Sequence, residues 1–469
     1  MNPVAQSIVS LAVGSLVAVG AGRPNVLFIA VDDLRPQTAA YGRSFMRTPN
    51  LDRLAAQGVL FERAYCMVPT CGASRAALMT GLRPARHRFV NHLTWAEQDA
   101  PGVPTLNTHF KVHGYTTISL GKVFHHRTDE AAGWSEPAWR PNAGHYRDPA
   151  AVAKAIADDT ARYPGKREHR GPPVEAFDAS DDAYPDGQIS DRALAELERL
   201  GGPSRPPFFL AVGFMKPHLP FTAPRKYWDL YDAAAIQLPA NDHPPKDAPA
   251  GAVHNSGELR PYAGIPPQGP VDAATARRLI HGYYACVSFI DAQVGRLLDG
   301  LERLGLATNT VVVLWGDHGW QLGEHGMWNK HSCFETSMHA PLLVTAPHLD
   351  SVKPGTRVRA LTEFIDVYPS LCELVGLPLP AHLEGRSFVP LMRDPGLPGK
   401  DFAIGRFGAG DTVRTERYRY SEYTRPAGGL TGRMLYDHRI DPGENVNVAA
   451  DAPAVTDRLA ETLNANQGR

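Results

Sequence analysis

The chain has 469 residues, with 48 Lys and Arg against 49 Asp and Glu, a formal net charge of −1. Such a balance excludes the broad basic surface needed for general nucleic-acid binding or adsorption to an anionic membrane. Composition that is 43% hydrophobic and 21% charged excludes whole-chain disorder, and 43 Gly with 41 Pro mark a globular protein rich in loops. Five cysteines (Cys66, Cys71, Cys286, Cys333, Cys372) are too few for a disulfide framework, and their odd number leaves at least one free or chemically altered.

From Val4 to Ala21 the chain is apolar and without Lys, Arg, Asp or Glu. Residues 1–21 thus read as a signal peptide and predict a periplasmic or secreted protein; a single-span anchor is the alternative. Val26 to Val31 (VLFIAV) is a continuous apolar run, as expected of a parallel strand buried on both faces. Asp32 and Asp33 follow it directly. Helical patterns come next at Asn50 to Gln57 and at Ala73 to Met79, the latter preceded by Cys71. Thr116 to Leu120 (TTISL) predicts a second strand, followed by Gly121, Lys122 and His125. Residues 128–189 read as a long surface excursion that gives way to a helix at Ser190 to Leu200. Phe208 to Val212 (FFLAV) is the third strand, with Lys216 and His218 beyond it. Residues 231–270 form a second excursion, and Ala273 to Leu304 carries the apolar stripe of a long amphipathic helix. Thr310 to Trp315 (TVVVLW) then leads into Asp317, His318, Glu324, His325 and Lys330. Leu342 to Ala346 completes the set of apolar runs. A second unit is expected from about residue 385, with a strand over Arg414 to Tyr423, a hairpin partner at Met434 to Tyr436, and a closing helix over 453–464.

Ligands of an open parallel sheet bind beyond the carboxyl ends of its strands. Polar clusters after four such strands therefore predict one shared site. Each cluster taken singly has a plainer reading: an Asp pair caps a helix, a lone Lys or His sits on the surface. Cys71 before a helix start, with Ser74 and Arg75 in the first turn, puts sulfur where helix N–H groups attract anions; a packed buried cysteine is the alternative.

The motifs CGASRAALMTG (71–81), NVLFIAVDDLR (25–35), TPNLDRLA (48–55), GKVFHH (121–126), FLAVGFMKPHLPF (209–221), GDHGWQLGEHGMWNKHS (316–332) and LYDHRIDPGENVN (435–447) occur in that family's relative positions when the chain is compared with type I sulfatases, which it resembles. These belong to the alkaline-phosphatase-like superfamily, and KPHLPF with DHGWQLGEHGMW is most similar to the iduronate-2-sulfatase-like branch. The resemblance implies an α/β fold: a mostly parallel sheet flanked by helices over 22–384, and a smaller C-terminal α+β subdomain with an antiparallel sheet over 385–469. It implies that Cys71 is converted to formylglycine by a maturation enzyme, that the hydrate is the nucleophile, and that Arg75 steadies it. Asp32, Asp33, Asp317 and His318, with position 71, would hold Ca²⁺, or Mg²⁺; hard oxygen donors suit both. Lys122 and Lys330 would bind sulfate oxygens. His218 would protonate the leaving oxygen, with Lys330 its rival, and His125 would deprotonate the hydrate to expel sulfate. Glu324 and His325 would order the loop. Arg83, His92, Lys216, Trp320, Trp328 and His331 are candidate substrate-pocket residues. Two departures stand out: Ala73 replaces the commonest Pro of the signature, and His331 replaces an aromatic. The implied activity is hydrolysis of a sulfate ester on a mono- or oligosaccharide, such as a 2-O-sulfated uronic acid of a glycosaminoglycan or algal polysaccharide. The alternatives are a phosphonate monoester or phosphodiester hydrolase, and a sulfated-glycan binder with unconverted Cys71.

Overall fold

The structure, a computed structural model, describes residues 22–202, 205–425 and 428–466. The signal-peptide reading of 1–21 lies outside the described residues. Among them, no helix is long and apolar enough to cross a membrane.

Seven strands form the central sheet: β1 (Asn25–Val31), β2 (Val59–Phe61), β3 (Thr116–Gly121), β4 (Phe208–Phe214), β5 (Thr310–Gly316), β6 (Leu342–Thr345) and β7 (Thr356–Val358). Their order is β7-β2-β6-β5-β1-β4-β3. β5, β1, β4 and β3 run parallel to one another, as the continuous apolar runs predict. β6 departs from that expectation, pairing antiparallel to both β5 and β2. An apolar run reports burial on two faces, which an antiparallel central strand shares, so it does not fix direction.

The reason for the unbroken apolar runs is visible in β1. Val26, Phe28 and Ala30 face one core, with helices α2 (Cys71–Thr80) and α5 (Val367–Val375), while Leu27, Ile29 and Val31 face the other. That second core is covered by α1 (Pro49–Gln57), α3 (Pro185–Leu200) and α4 (Ala273–Arg303), whose Leu279, Tyr283, Val287, Ile290, Val294 and Leu297 form the stripe. Asp272 caps α4 by accepting from Ala274 N and Thr275 N.

Two sequence readings need correction. The 128–189 segment is not continuous loop: it holds a helix, Pro149–Arg162, and a strand, Val174–Phe177, parallel to Phe221–Pro224. That helix is Ala-rich and Asp159 is its one buried residue, so no apolar period betrays it. The Arg414 to Tyr423 strand is two strands. A turn at Glu416 and Arg417 divides β9 (Gly410–Thr415) from β10 (Tyr418–Thr424), and with β8 (Phe402–Phe407) and β11 (Leu430–Asp437) they make an antiparallel sheet in chain order. The closing helix, α6 (Pro453–Asn466), packs Leu459 and Leu463 onto it.

A buried ion network joins this small sheet to the main body. Arg419 on β10 pairs with Glu335 at 2.5 Å and Glu444 at 3.0 Å, and Arg414 on β9 reaches Glu335 at 3.0 Å. Tyr65 OH donates to the other oxygen of Glu335 at 2.7 Å. Breaking a buried pair leaves a desolvated charge, so Arg419→Met should cost about 3–5 kcal/mol. A urea titration should show the loss as a lower midpoint; an unchanged midpoint would remove the network from the stability of the fold.

Candidate active site

Strand order assembles the site. β5, β1, β4 and β3 lie side by side, and Val31 pairs with Gly316 while Gly121 pairs with Gly213. The residues that follow are therefore neighbours: Asp317 and His318, Asp32 and Asp33, then His218, then Lys122 and His125. The β3–β4 pair can close at this end because both partners are glycine. A Cβ on Gly213 would lie 2.1 Å from the Lys122 carbonyl carbon, and one on Gly121 would lie 2.1 Å from Gly213 O. Asp33 adopts a left-handed conformation (φ 60°), which turns its N–H onto Asp317 Oδ1 at 2.9 Å. α4 supports that turn: Tyr283 OH donates to Asp33 O at 2.7 Å.

Cys71 is the first residue of α2, after Thr70, and Gly72 lets the chain at His92 lie against this helix start. One turn on, Arg75 is fully buried. Its Nε donates to Asp317 Oδ2 at 2.9 Å and Nη2 to Asp32 Oδ1 at 3.2 Å, while Nη1 serves the carbonyls of Lys122 and Val123. Lys122 Nζ pairs with Asp32, and Lys330 Nζ with Asp33 at 3.0 Å. Cys71 Sγ lies 3.4 Å from His318 Nε2.

One potential ligand atom from each of Asp32, Cys71, Asp317 and His318 lies within 4.8 Å of the others, and Asp32, Asp33, Cys71 and His218 form an overlapping group. Burial raises the Asp33 carboxyl above its ordinary range, and Asp32 adds to this against Lys330 and His218. Against the same cost of burial, Lys122, His218 and Arg75 hold Asp32 well below it. Three desolvated carboxylates with one imidazole fit a hard divalent cation, whose charge would relieve Asp33.

Beside this cluster opens a cavity of about 560 Å³, lined by Asp32, Lys122, His125, Arg140, Lys216 and His218 among others. Two of its histidines, His125 and His218, titrate in opposite directions. Burial and Lys122 lower His125 to about 3. Burial opposes the charged form of His218 as well, yet Asp33 and a hydrogen bond to Glu258 raise it above the ordinary imidazole value. Lys330 is buried too, and Asp33 and Glu258 hold its ammonium charged. Burial pushes the Cys71 thiol well above its ordinary range, with Asp32 contributing and Lys122 and Lys330 opposing.

A family model described as Sulfatase matches residues 24–377. The chain belongs to the sulfatase family. It is accordingly a sulfuric ester hydrolase. It is 35% identical to a Formosa agariphila Sulfatase over 444 residues, covering 91% of this chain and 83% of that protein. The human Iduronate 2-sulfatase is 32% identical over 456 residues, covering 86% and 79%. Among solved structures, the phosphonate monoester hydrolase of Agrobacterium radiobacter superposes with a TM-score of 0.73 at 25% identity, covering 94% of this chain and 95% of that one.

In this sulfatase Cys71, Arg75, Lys122, His125, His218, Lys330 and the four metal-ligand candidates converge. The anticipated substrate residues divide. His92 is exposed and its ring lies 5.9 Å from that of His125. Lys216 lines the cavity but spends Nζ on the carbonyls of His218 (2.8 Å) and Pro220 (2.6 Å), holding their loop in shape. Arg83 lies elsewhere, in a two-pronged pair with Glu363. Trp320 and Trp328 are core residues; the Trp320 ring backs Lys330 Nζ at 5.0 Å. His331 stacks on Phe407 at 5.0 Å. Glu324 accepts from Leu322 N and pairs with Arg35 at 2.8 Å, and His325 bonds Gly443 O, so both order their loop.

Glu258 escaped sequence reading. It lies in the unpatterned 231–270 excursion, yet its Oε1 is 2.7 Å from Lys330 Nζ and 3.0 Å from His218 Nε2. Arg140 was missed likewise: its guanidinium donates to the carbonyls of Gly121, Phe124 and His125, clamping the turn that carries Lys122 and His125. Glu258→Gln should lower kcat by about tenfold to a hundredfold, as loss of an orienting partner does, with KM and Tm little changed; wild-type kcat would remove Glu258 from the reaction. His125, lowered to about 3, must be deprotonated to act as a base, so its own protonation limits activity only as pH falls towards that value. A pH profile of kcat/KM should therefore lack an acid limb at the ordinary imidazole value, and one centred there would contradict this role.

Proposed function

We propose that this sulfatase hydrolyses the sulfate ester of a carbohydrate, taking one end of its substrate into the cavity beside position 71. The observation that carries this reading is the placement of Cys71: the first residue of a helix, its sulfur among Asp32, Asp317 and His318, with Lys122 and Lys330 paired to the adjoining carboxylates. A buried thiol facing Asp32 is a poor nucleophile, which favours conversion to formylglycine by a maturation enzyme. The hydrated aldehyde supplies one hydroxyl to attack sulfur and a second whose deprotonation expels sulfate. A Ca²⁺ or Mg²⁺ ion held by Asp32, Asp33, Asp317 and His318 would offset negative charge on the sulfate oxygens.

The chain's own groups divide the remaining work. Lys122 and Lys330 neutralise charge developing on the sulfuryl oxygens. His218, hydrogen-bonded to Glu258, protonates the leaving alcohol; Lys330, held between Asp33 and Glu258, keeps its proton. His125, whose Nδ1 has no partner among the described residues, takes the proton of the second hydroxyl. Opposite environments for two histidines are how one site obtains both an acid and a base. Similarity to the human Iduronate 2-sulfatase supports a 2-O-sulfated uronic acid as the substrate class. The apolar segment from Val4 to Ala21 supports export.

Peptide mass spectrometry should find residue 71 lighter by the exchange of –CH₂SH for –CHO. A fully active protein that retains the thiol would overturn the mechanism. Chelation of divalent cations should abolish turnover and lower Tm, since an ion bound only by the folded state stabilises it. The likeness to a phosphonate monoester hydrolase favours a second reading. Higher kcat/KM on a phosphonate monoester than on a sulfate ester of the same leaving group would establish that reading instead.

A further inference from the structure

A second cavity, about 580 Å³ and as large as the catalytic one, lies beyond the carboxyl end of β1 and shares no lining residue with it. Its walls differ in kind from the catalytic cavity. Three aromatic rings run along one side: Phe45 is 5.4 Å from Tyr284, which is 5.6 Å from Tyr231. Tyr231 is fixed in place, its hydroxyl receiving Arg47 N at 3.0 Å and sharing a proton with Ser288 Oγ at 2.6 Å. Phe45 packs on Tyr284 yet leaves 49% of its surface in solvent, open to a ligand.

Arg43 and Arg47 line the same cavity, both exposed and both without a carboxylate partner among the described residues. The acids nearby are already engaged. Glu324 is taken by Arg35 at 2.8 Å, and Asp232 accepts from Ala234 N at 2.9 Å. An aromatic wall sharing a cavity with two uncommitted guanidinium groups matches one kind of ligand: rings with apolar faces that carry anions on their edges. Sugar C–H faces stack on aromatic side chains, and guanidinium binds sulfate in a planar fork.

We infer that this cavity is a second, non-catalytic binding site for a sulfated glycan, holding part of a longer chain whose end enters the catalytic cavity or awaits it. Its ligand class rests on the carbohydrate-sulfate reading of the active site. Its geometry does not: no residue here belongs to the catalytic cluster. Occupancy would raise the local concentration of chain ends without altering the chemical step.

Dextran sulfate is a suitable probe, with neutral dextran and polyglutamate as controls. Wild type and Cys71→Ala should bind dextran sulfate alike, and salt should weaken both. The double substitution Arg43→Ala with Arg47→Ala should weaken binding by about tenfold or more, the scale expected for losing two charge-assisted contacts. Phe45→Ala should weaken it as well, which mere charge attraction would not require. Turnover of a small sulfated monosaccharide should be unchanged in both the double arginine variant and Phe45→Ala. Binding that ignores these substitutions overturns the site, as does equal competition by polyglutamate. A dimer in solution that Phe45→Ala dissolves would also overturn it, assigning the rings to a second copy of the chain. If Arg-dependent binding persists while no sulfate ester is hydrolysed, the hydrolase reading fails and the binding site stands. Normal hydrolysis with Arg-independent binding gives the reverse.

Discussion

Arg75 is the side chain on which the rest of the site depends. From inside α2 it reaches the carboxylates beyond β1 and β5 and the main chain beyond β3, so one guanidinium ties four segments distant in sequence. A planar fork of five donors can do this where an ammonium, a single point charge, cannot. Its burial costs desolvation, and the two carboxylates it meets repay that cost while themselves being made buriable. Position 71 is set by this arrangement, one helical turn before the residue that fixes the helix. Nε, Nη1 and Nη2 of Arg75 each donate to protein, which orders the cluster.

The cluster is a problem in charge compensation. Asp32, Asp33 and Asp317 share a desolvated space that three anions could not occupy alone. Arg75, Lys122 and Lys330 supply matching cations, each on a different segment. Two of these cations, Lys122 and Lys330, are also the groups proposed to meet the sulfuryl oxygens. Structural and chemical roles coincide here, so a substitution that silences the reaction will often disturb the fold. Glu258 extends this pattern outward by joining Lys330 to His218.

Much of the site was legible because its residues sit directly after apolar runs. VLFIAV followed by Asp32 and Asp33, or TVVVLWG by Asp317 and His318, displays strand and chemistry in one short span, and the strand identifies the end at which ligands bind. Lys216, Arg83, Trp320 and Trp328 show the limit of that reading. Each stands in or just after a motif near the site, yet that position does not say where a side chain points. Lys216 turned to backbone carbonyls, Arg83 to Glu363, and both tryptophans to the core. Glu258 and Arg140 show the converse, since loops without a period give no sign of the direction in which they fold back.

The sequence by itself determined the strands, their burial on two faces, the long α4 and the polar groups awaiting at the strand ends. Those follow from local composition, because an apolar run of strand length must be buried wherever the chain goes. Only the tertiary structure decided the strand order, the reversed direction of β6, the division of β9 from β10, and which cation meets which carboxylate. It also decided what the chain's near-neutral charge conceals. A net charge of −1 is a sum over the whole surface, whereas binding is governed by charges close enough to act together. Among the described residues, ion pairs engage about half of the arginines and lysines, and Arg43 and Arg47, beside a row of aromatic rings, are among those left over.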